Sequence, residues 1–222
     1  VEKICKNYHK LNMHQFNKII IIFDLDGVLI NTIKLMELAW SEVRKTLNIK
    51  QEFSSYKKFI GFPFNTILTK LKINKNHKKI YAIYNKTSIK NEKKIKLYPG
   101  VKKILLKLNL KGYKTAIVTS KDKTRVERIL NRLKIPIQNI NCPHKKYRGK
   151  PFPDQIFRAI KKSRIKPLKV FYIGDMHVDY LTSKNSKINF IFAKYGYGIR
   201  LKTYKNTIKT FNQIPKILER LS

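Results

Sequence analysis

Residues 19–29 read Ile19-Ile20-Ile21-Ile22-Phe23-Asp24-Leu25-Asp26-Gly27-Val28-Leu29. An apolar run ends abruptly on a carboxylate. A half-exposed strand would alternate apolar and polar residues, whereas an unbroken run suits a parallel strand covered on both faces. The two aspartates then fall where the chain leaves the sheet. Gly27 permits the turn that lets both face one crevice. Paired carboxylates in a crevice repel each other unless a cation sits between them, and one can act as nucleophile while the other moves protons. Taken alone, the segment is also readable as a capped strand end with a turn.

Working outward, Thr115–Thr119, Val170–Ile173 and Asn189–Ala193 share the apolar character of the first strand, and Ile137–Ile140 is a weaker candidate. Between them Val101, Ile104, Leu105 and Leu108, then Val126, Ile129, Leu130 and Leu133, follow the i, i+3, i+4, i+7 spacing of amphipathic helices, and Ile156, Phe157 and Ile160 mark another. Alternating strands and helices predict an α/β fold with a parallel sheet and right-handed crossovers. Residues 31–96 break the alternation. They hold no convincing strand but three helical patterns, around Met36, Ala39, Trp40 and Val43, around Ile67, Leu68 and Leu71, and around Ile80, Ile83, Tyr84 and Thr87. Tyr98-Pro99-Gly100 punctuates the return. The expected organisation is an N-terminal extension over 1–18, a catalytic core from 19–30 and 97–222, and an inserted helical cap over 31–96.

Composition sets the class. The 222 residues are 42% hydrophobic, enough for one large domain with a modest insertion. No apolar stretch approaches the roughly 20 residues of a membrane span. Residues 1–18 lack a signal-peptide core, Met13 reads as an alternative start that makes 1–12 dispensable, and the expected location is cytoplasmic. Cys5 and Cys142 form no metal-binding or redox spacing and read as ordinary reduced thiols. The formal charge of +37 is spread along a chain rich in Lys, Ile and Asn instead of forming one stripe. It reads as compositional bias that draws in anionic substrates, with nucleic-acid binding no more than non-specific and electrostatic. Acid is scarce by contrast: four of the six aspartates, Asp24, Asp26, Asp175 and Asp179, fall in two short clusters.

Three further segments join the first at predicted strand ends, where open α/β sheets bind ligands. Thr119-Ser120 precedes a helix whose start holds Asp122; hydroxyls and N–H groups there suit phosphate, although a plain N-cap has the same look. Gly149-Lys150-Pro151-Phe152-Pro153-Asp154 fixes Lys150 in a proline-rich turn, where it can neutralise a phosphate or a carboxylate. Gly174-Asp175-Met176-His177-Val178-Asp179 follows the fourth strand; Asp175 can complete a magnesium site, and Asp179 can orient Lys150 or a metal-bound water. His177 reads as a surface or loop residue.

With these segments in order, the chain resembles the haloacid dehalogenase-like hydrolase superfamily over residues 19 to about 200, including Tyr195-Gly196-Tyr197-Gly198. The resemblance implies a Rossmann-like core with a helical cap inserted after the first strand, and magnesium as cofactor. It implies that Asp24 attacks phosphorus and that Asp26 protonates the leaving oxygen and then activates water. Thr119 and Lys150, with Ser120 beside them, would hold the phosphoryl group. Asp24, the Asp26 carbonyl and Asp175 would bind the metal. An acid at Asp26 separates the chain from dehalogenase-like and phosphonatase-like members. Gly174-Asp175, where mutases resembling β-phosphoglucomutase usually carry Glu-Asp, points toward phosphoglycolate phosphatase-like and pyrophosphatase-like members. Thr182-Ser183-Lys184-Asn185-Ser186 departs from the alanine- and glycine-containing helix usual there, an expected matter of packing.

The expected function is magnesium-dependent hydrolysis of a small phosphorylated metabolite, of the phosphoglycolate or sugar-phosphate class, through an aspartyl-phosphate. The alternatives are a sugar-phosphate mutase of the same superfamily and a basic, non-catalytic nucleic-acid-binding protein. A receiver domain also uses acids, Thr and Lys around magnesium, but lacks both a cap-sized insertion and an acid at the second position after its acceptor. The Gly61–Phe64 stretch, with Trp40 and Tyr56 nearby, is the expected specificity surface, although Trp40 on its apolar stripe also suits the insertion's own core. Oligomeric state has no signal in the sequence.

Overall fold

A computed structural model describes residues 18–137, 139–198 and 204–221. The expectations for Cys5, for Met13 as a start and for residues 1–17 lie outside these. Strand β1 (Ile19–Phe23) is central in a six-stranded sheet with β4 (Lys114–Val118), β5 (Asn139–Asn141), β6 (Lys169–Gly174), β7 (Asn189–Ala193) and β8 (Thr207–Ile208), in the order β5-β4-β1-β6-β7-β8. Every pairing in it is parallel.

The isoleucine run explains why β1 is central. Ile19, Ile21 and Phe23 face one buried layer, and Ile20 and Ile22 face the other, so both faces need apolar side chains. On the first face α5 (Val101–Leu110) and α6 (Lys123–Leu133) supply Ile104, Leu105, Leu108, Val126 and Ile129. On the other, α7 (Asp154–Lys162) supplies Ile156 and Ala159. The chain builds one half of the sheet outward from β1 through β4 and β5, then returns beside β1 as β6. The carboxyl ends of β1, β4 and β6 therefore share one crevice.

Residues 31–96, expected to be a helical insertion, are mainly helical. The two ends are strands: β2 (Ile30–Asn31) and β3 (Lys96–Leu97) pair antiparallel, Ile30 with Leu97 and Asn31 with Lys96. Between them lie four helices where three patterns were read, α1 (Ile33–Leu47), α2 (Phe53–Lys57), α3 (Phe64–Lys70) and α4 (His77–Lys90). The unread one, α2, is five residues long, too short for a helical period to show. The weak strand candidate at 137–140 is observed as Asn139–Asn141. The pair formed by β8 and α9 (Ile214–Leu221) had no counterpart in the reading.

The insertion has its own core of Met36, Ala39, Trp40, Val43, Leu68, Ile80 and Tyr84, which merges with Met176, Val178 and Tyr197 of the sheet domain. Trp40 is fully buried, packs at a tilt against Tyr56 at 4.7 Å between ring centroids and donates its indole N–H to Gln51 O at 2.8 Å. It packs the insertion and does not line the crevice. Helix α8 (His177–Asn185) resolves the departure at 182–186. The Thr182, Ser183 and Ser186 hydroxyls donate to the Val178, Tyr180 and Thr182 carbonyls, each at 2.7 Å, so polar side chains are buried there without unmet hydrogen bonds.

Candidate active site

Asp24 directly follows β1, and its N–H continues the sheet by donating to Ile173 O at 2.9 Å. One carboxylate oxygen, Oδ1, accepts from Leu25 N–H at 2.7 Å and from Lys150 Nζ at 2.8 Å. Lys150 reaches in from the loop between β5 and α7 and is fully buried; it also donates to Asp179 Oδ1 at 2.8 Å. Asp179, in the first turn of α8, is fixed further by Tyr172 OH at 2.9 Å on Oδ1 and by Met176 N–H at 3.0 Å on Oδ2. A lysine between two carboxylates in a dry site has a set position and a set charge, and the two aspartates together hold its ammonium group protonated against the effect of burial.

Asp175 follows β6. Its Oδ2 accepts from Tyr197 N–H at 2.7 Å, while Oδ1 is buried without a hydrogen-bond partner among the described residues. Two glycines make room for this side chain. A Cβ at Gly27, where φ is +83°, would come within 2.1 Å of Asp175 Oδ2, and one at Gly196 within 2.3 Å of Asp175 Cβ. Burial, reinforced by Asp179 and Asp24, pushes the Asp175 carboxyl well above the usual carboxylate range. Burial likewise raises Asp24 to about 7, although Lys150 opposes the shift.

These features are those of a cation site. Carboxylate oxygens of Asp24, Asp175 and Asp179 lie within 4.8 Å of one another. Asp179 already serves Lys150, Tyr172 and Met176, so Asp24 and Asp175 are the carboxylates with capacity left. An orphaned, desolvated oxygen beside a second carboxylate is what a cation relieves, and an all-oxygen donor set suits a hard ion such as magnesium. The residues present therefore fit the expected metal. The Asp26 carboxylate faces elsewhere, which restricts any metal contact of Asp26 to its main-chain carbonyl.

Asp26 is held by two groups that sequence reasoning missed. Thr32 Oγ1 donates to Asp26 Oδ1 at 2.6 Å, and Lys121 Nζ lies 3.1 Å from Asp26 Oδ2. Burial lowers the Lys121 pKa from the ordinary lysine value, and Asp26 partly restores it. Thr32 is tied in turn to the Tyr197 hydroxyl, which also donates to Ile30 O at 3.2 Å. Tyr197 thus touches Asp175 through its N–H and Thr32 through its side chain. A lysine gives no signal among 50 Lys and Arg residues. Thr32 needs the geometry of the β2 turn to be found.

Thr119 follows β4, donates its N–H to Asn141 O at 3.1 Å and is buried; its hydroxyl accepts from Lys121 N–H at 3.2 Å. The Ser120 hydroxyl, expected to face phosphate, instead donates to Gly61 O of the insertion at 2.6 Å. His177 begins α8 and faces Tyr180 and Tyr204, away from the aspartates.

Over these groups the sheet domain and the insertion border an open cavity of about 430 Å³. Asp24, Asp26, Thr119, Ser120 and Lys121 form its floor, and Tyr56, Phe62, Phe64, Tyr81 and Tyr84 line it from the insertion. The two parts touch closely: a Cβ at Gly149 would come within 2.6 Å of Pro63, and one at Gly61 within 2.7 Å of Val178.

Comparison with known proteins agrees with this geometry. The chain is 25% identical over 224 residues to the glyceraldehyde 3-phosphate phosphatase of Pyrococcus furiosus, covering 90% of this chain and 91% of that protein. It is 26% identical over 182 residues to the phosphoglycolate phosphatase of Aquifex aeolicus, covering 80% and 85%. The crystal structure of a hydrolase from Pseudomonas syringae superposes with a TM-score of 0.80 at 22% identity, over 91% of this chain and 98% of that one, which establishes the shared fold. No helix among the described residues is long and apolar enough to cross a membrane. The haloacid dehalogenase-like hydrolase family model matches residues 21–193, from within β1 to the last residue of β7, and the chain belongs to that family.

Proposed function

We propose that this protein is a magnesium-dependent phosphatase that hydrolyses a small phosphate monoester through an aspartyl-phosphate on Asp24. The observation that carries the reading is the arrangement at the end of β1: Asp24 paired with a fully buried Lys150, next to Asp175 with an oxygen that has no partner among the described residues. The glyceraldehyde 3-phosphate and phosphoglycolate phosphatases among its relatives support the same class of substrate.

In the first step a carboxylate oxygen of Asp24 bonds to phosphorus as the bond from phosphorus to the leaving oxygen breaks, and Asp26 delivers a proton to that oxygen. In the second, Asp26 takes a proton from water as the water attacks phosphorus and the bond to Asp24 breaks. Thr32 and Lys121 aim the Asp26 carboxyl for both transfers, and Lys121 compensates its charge when it is ionised. Lys150 stays fixed by Asp179 while it neutralises Asp24 and the phosphoryl oxygens. Thr119 bounds the phosphate position from the end of β4. When bound to Asp24, Asp175 and the Asp26 carbonyl, magnesium supplies the charge that offsets repulsion between a carboxylate and a dianionic ester. The insertion acts as a cap that excludes bulk water and meets the leaving group.

The test is hydrolysis of 4-nitrophenyl phosphate with magnesium and with excess chelator. Turnover that depends on magnesium and releases one equivalent of inorganic phosphate is expected. Undiminished turnover in chelator would falsify the metal assignment.

A further inference from the structure

Arg125 lies in the first turn of α6, on the wall of the cavity. It is 8% exposed, and its Nε is buried without a hydrogen-bond partner among the described residues. The nearest carboxylate is a poor match: Asp122 Oδ2 stands 3.9 Å from that Nε and is shared with the Tyr81 hydroxyl at 3.3 Å. Asp122 Oδ1 is occupied as the helix cap, accepting the Arg125 main-chain N–H at 3.0 Å. A guanidinium presents five donors in a fixed fork and is costly to bury with one unmet. The proposed chemistry gives Arg125 no task at phosphorus, because Lys150, Lys121 and the carboxylates already account for that end.

Its surroundings place Arg125 on the leaving-group side. It shares the cavity with Tyr56, Tyr81, Tyr84 and Phe64 of the insertion. Asp26, Tyr84 and Arg125 line the same cavity of about 430 Å³, so a substrate whose leaving oxygen meets Asp26 has room to reach the guanidinium.

We propose that Arg125 is a specificity-determining residue that receives a second anionic group, a carboxylate or a second phosphate, on the leaving group. This rests on the phosphatase reading and narrows it: the preferred substrates are small monoesters carrying two anionic groups, one at Asp24 and one at Arg125. A neutral alcohol as leaving group leaves the guanidinium fork buried and unmet, so the site discriminates by omission as well as by attraction.

The experiment measures binding and turnover separately. In the Asp24→Asn background, calorimetry gives dissociation constants for 2-phosphoglycolate against 2-hydroxyethyl phosphate, and for fructose 1,6-bisphosphate against fructose 6-phosphate. The first pair probes a carboxylate and the second a phosphate. At least one member with a second anionic group should bind about tenfold or more tightly than its partner lacking that group, the size of one charge-assisted hydrogen bond. Arg125→Gln should bring that ratio to within about twofold of unity, and Arg125→Lys should restore part of it. The same ratios in kcat/KM are expected from the chain with Asp24 intact. A ratio near unity in both pairs with Arg125 present overturns the proposal, as does a ratio that survives Arg125→Gln or a loss equal for both members of each pair. Binding discrimination without hydrolysis would support the anion site and sink the phosphatase reading alone, so the two failures are distinguishable.

Discussion

The floor and the roof of the cavity are built on opposite terms. The floor concentrates charge: Asp24, Asp26 and Lys121 line it, Lys150, Asp175 and Asp179 are buried behind them, and all six residues lie at strand ends or in the loops and first helical turns that leave them. Most of its polar atoms have a named partner. Asp175 Oδ1 is buried without a partner among the described residues, at the point where a cation fits. The roof, supplied by α1 to α4, is mainly aromatic and holds together by ring contacts, Trp40 with Tyr56 and Phe64 with Tyr81 and Tyr84. Charged networks in a dry site tolerate little displacement, because a lost partner leaves a buried charge unmet. Aromatic contacts are less directional and can shift while retaining most of their burial. Under the proposed function, bond-making falls to the charged side and choice of leaving group to the apolar side, with Arg125 as the charge that the sheet domain would contribute to that choice.

The largest expected effect tests the floor. Asp24→Asn should lower turnover by about 10³-fold or more while leaving the fold intact, since the amide keeps the shape but is no nucleophile. Phosphate release with a circular dichroism spectrum as control checks this; unimpaired turnover would mean that Asp24 is not the attacking group. Asp26→Asn should slow both chemical steps, by a total of about 10²–10⁴-fold. A burst of product in only one of the two variants would separate nucleophile from proton carrier.

The charged network should also show in stability. Asp179→Ala removes the acceptor of Tyr172 OH and Met176 N–H and leaves Lys150 with Asp24 alone. Breaking such a buried pair costs about 3–5 kcal/mol, measurable as a shift of the urea midpoint. A change under about 1 kcal/mol would show that the pair contributes position only.

The pH dependence without metal has a sign opposite to ordinary acid unfolding. Asp24 has a folded pKa of about 7 against an ordinary value of 3.8, so between those values the folded chain holds a proton that the unfolded chain has released. Stability from this group is full below about pH 4 and is lost as pH rises toward 7, by about a few kcal/mol at most. In chelator the slope should be visible as a difference between the chain and its Asp24→Asn variant, and magnesium should restore stability at pH 7. Parallel pH profiles of the two proteins would refute the assignment.

The same contrast governs what could be read from sequence. Strands β1, β4, β6 and β7 are legible because parallel strands buried on both faces need unbroken apolar runs. The aspartates, Thr119 and Lys150 are legible because they sit at fixed offsets from those runs. Strands β2, β3 and β8, at two residues each, are too short to carry a period, and their pairing is decided by tertiary contact. Lys121 and Tyr197 meet Asp26 and Asp175 across the fold, contacts that no local spacing carries, although Tyr197 lies in a stretch included in the resemblance. Ser120 shows the opposite case: its position at a strand end was legible, but its hydroxyl is spent on Gly61 of the insertion, a contact that sequence spacing cannot carry.

The smallest expected effect tests the roof. Phe62 and Phe64 are half-buried, line the cavity, and flank Pro63, which packs over Gly149. Phe62 rests beneath Lys70 Nζ at 4.8 Å, whereas Phe64 packs at 5.1 Å on Tyr84, which belongs to the insertion's own core. Both rings pack against the insertion's core, but Phe64 also meets Tyr84 directly, so truncating Phe62 should open the wall at a smaller cost in packing than truncating Phe64. For Phe62→Ala, specificity constants across alkyl, sugar and aryl phosphates should change relative to one another by about tenfold, the scale set by one apolar contact in a pocket. The preference for a second anionic group should persist, because Arg125 is carried by the other domain. For Phe64→Ala the same reordering should come with a lower melting temperature. If Phe62→Ala scales every substrate by one factor, the roof acts only by excluding water, and selection rests with the charged side of the cavity.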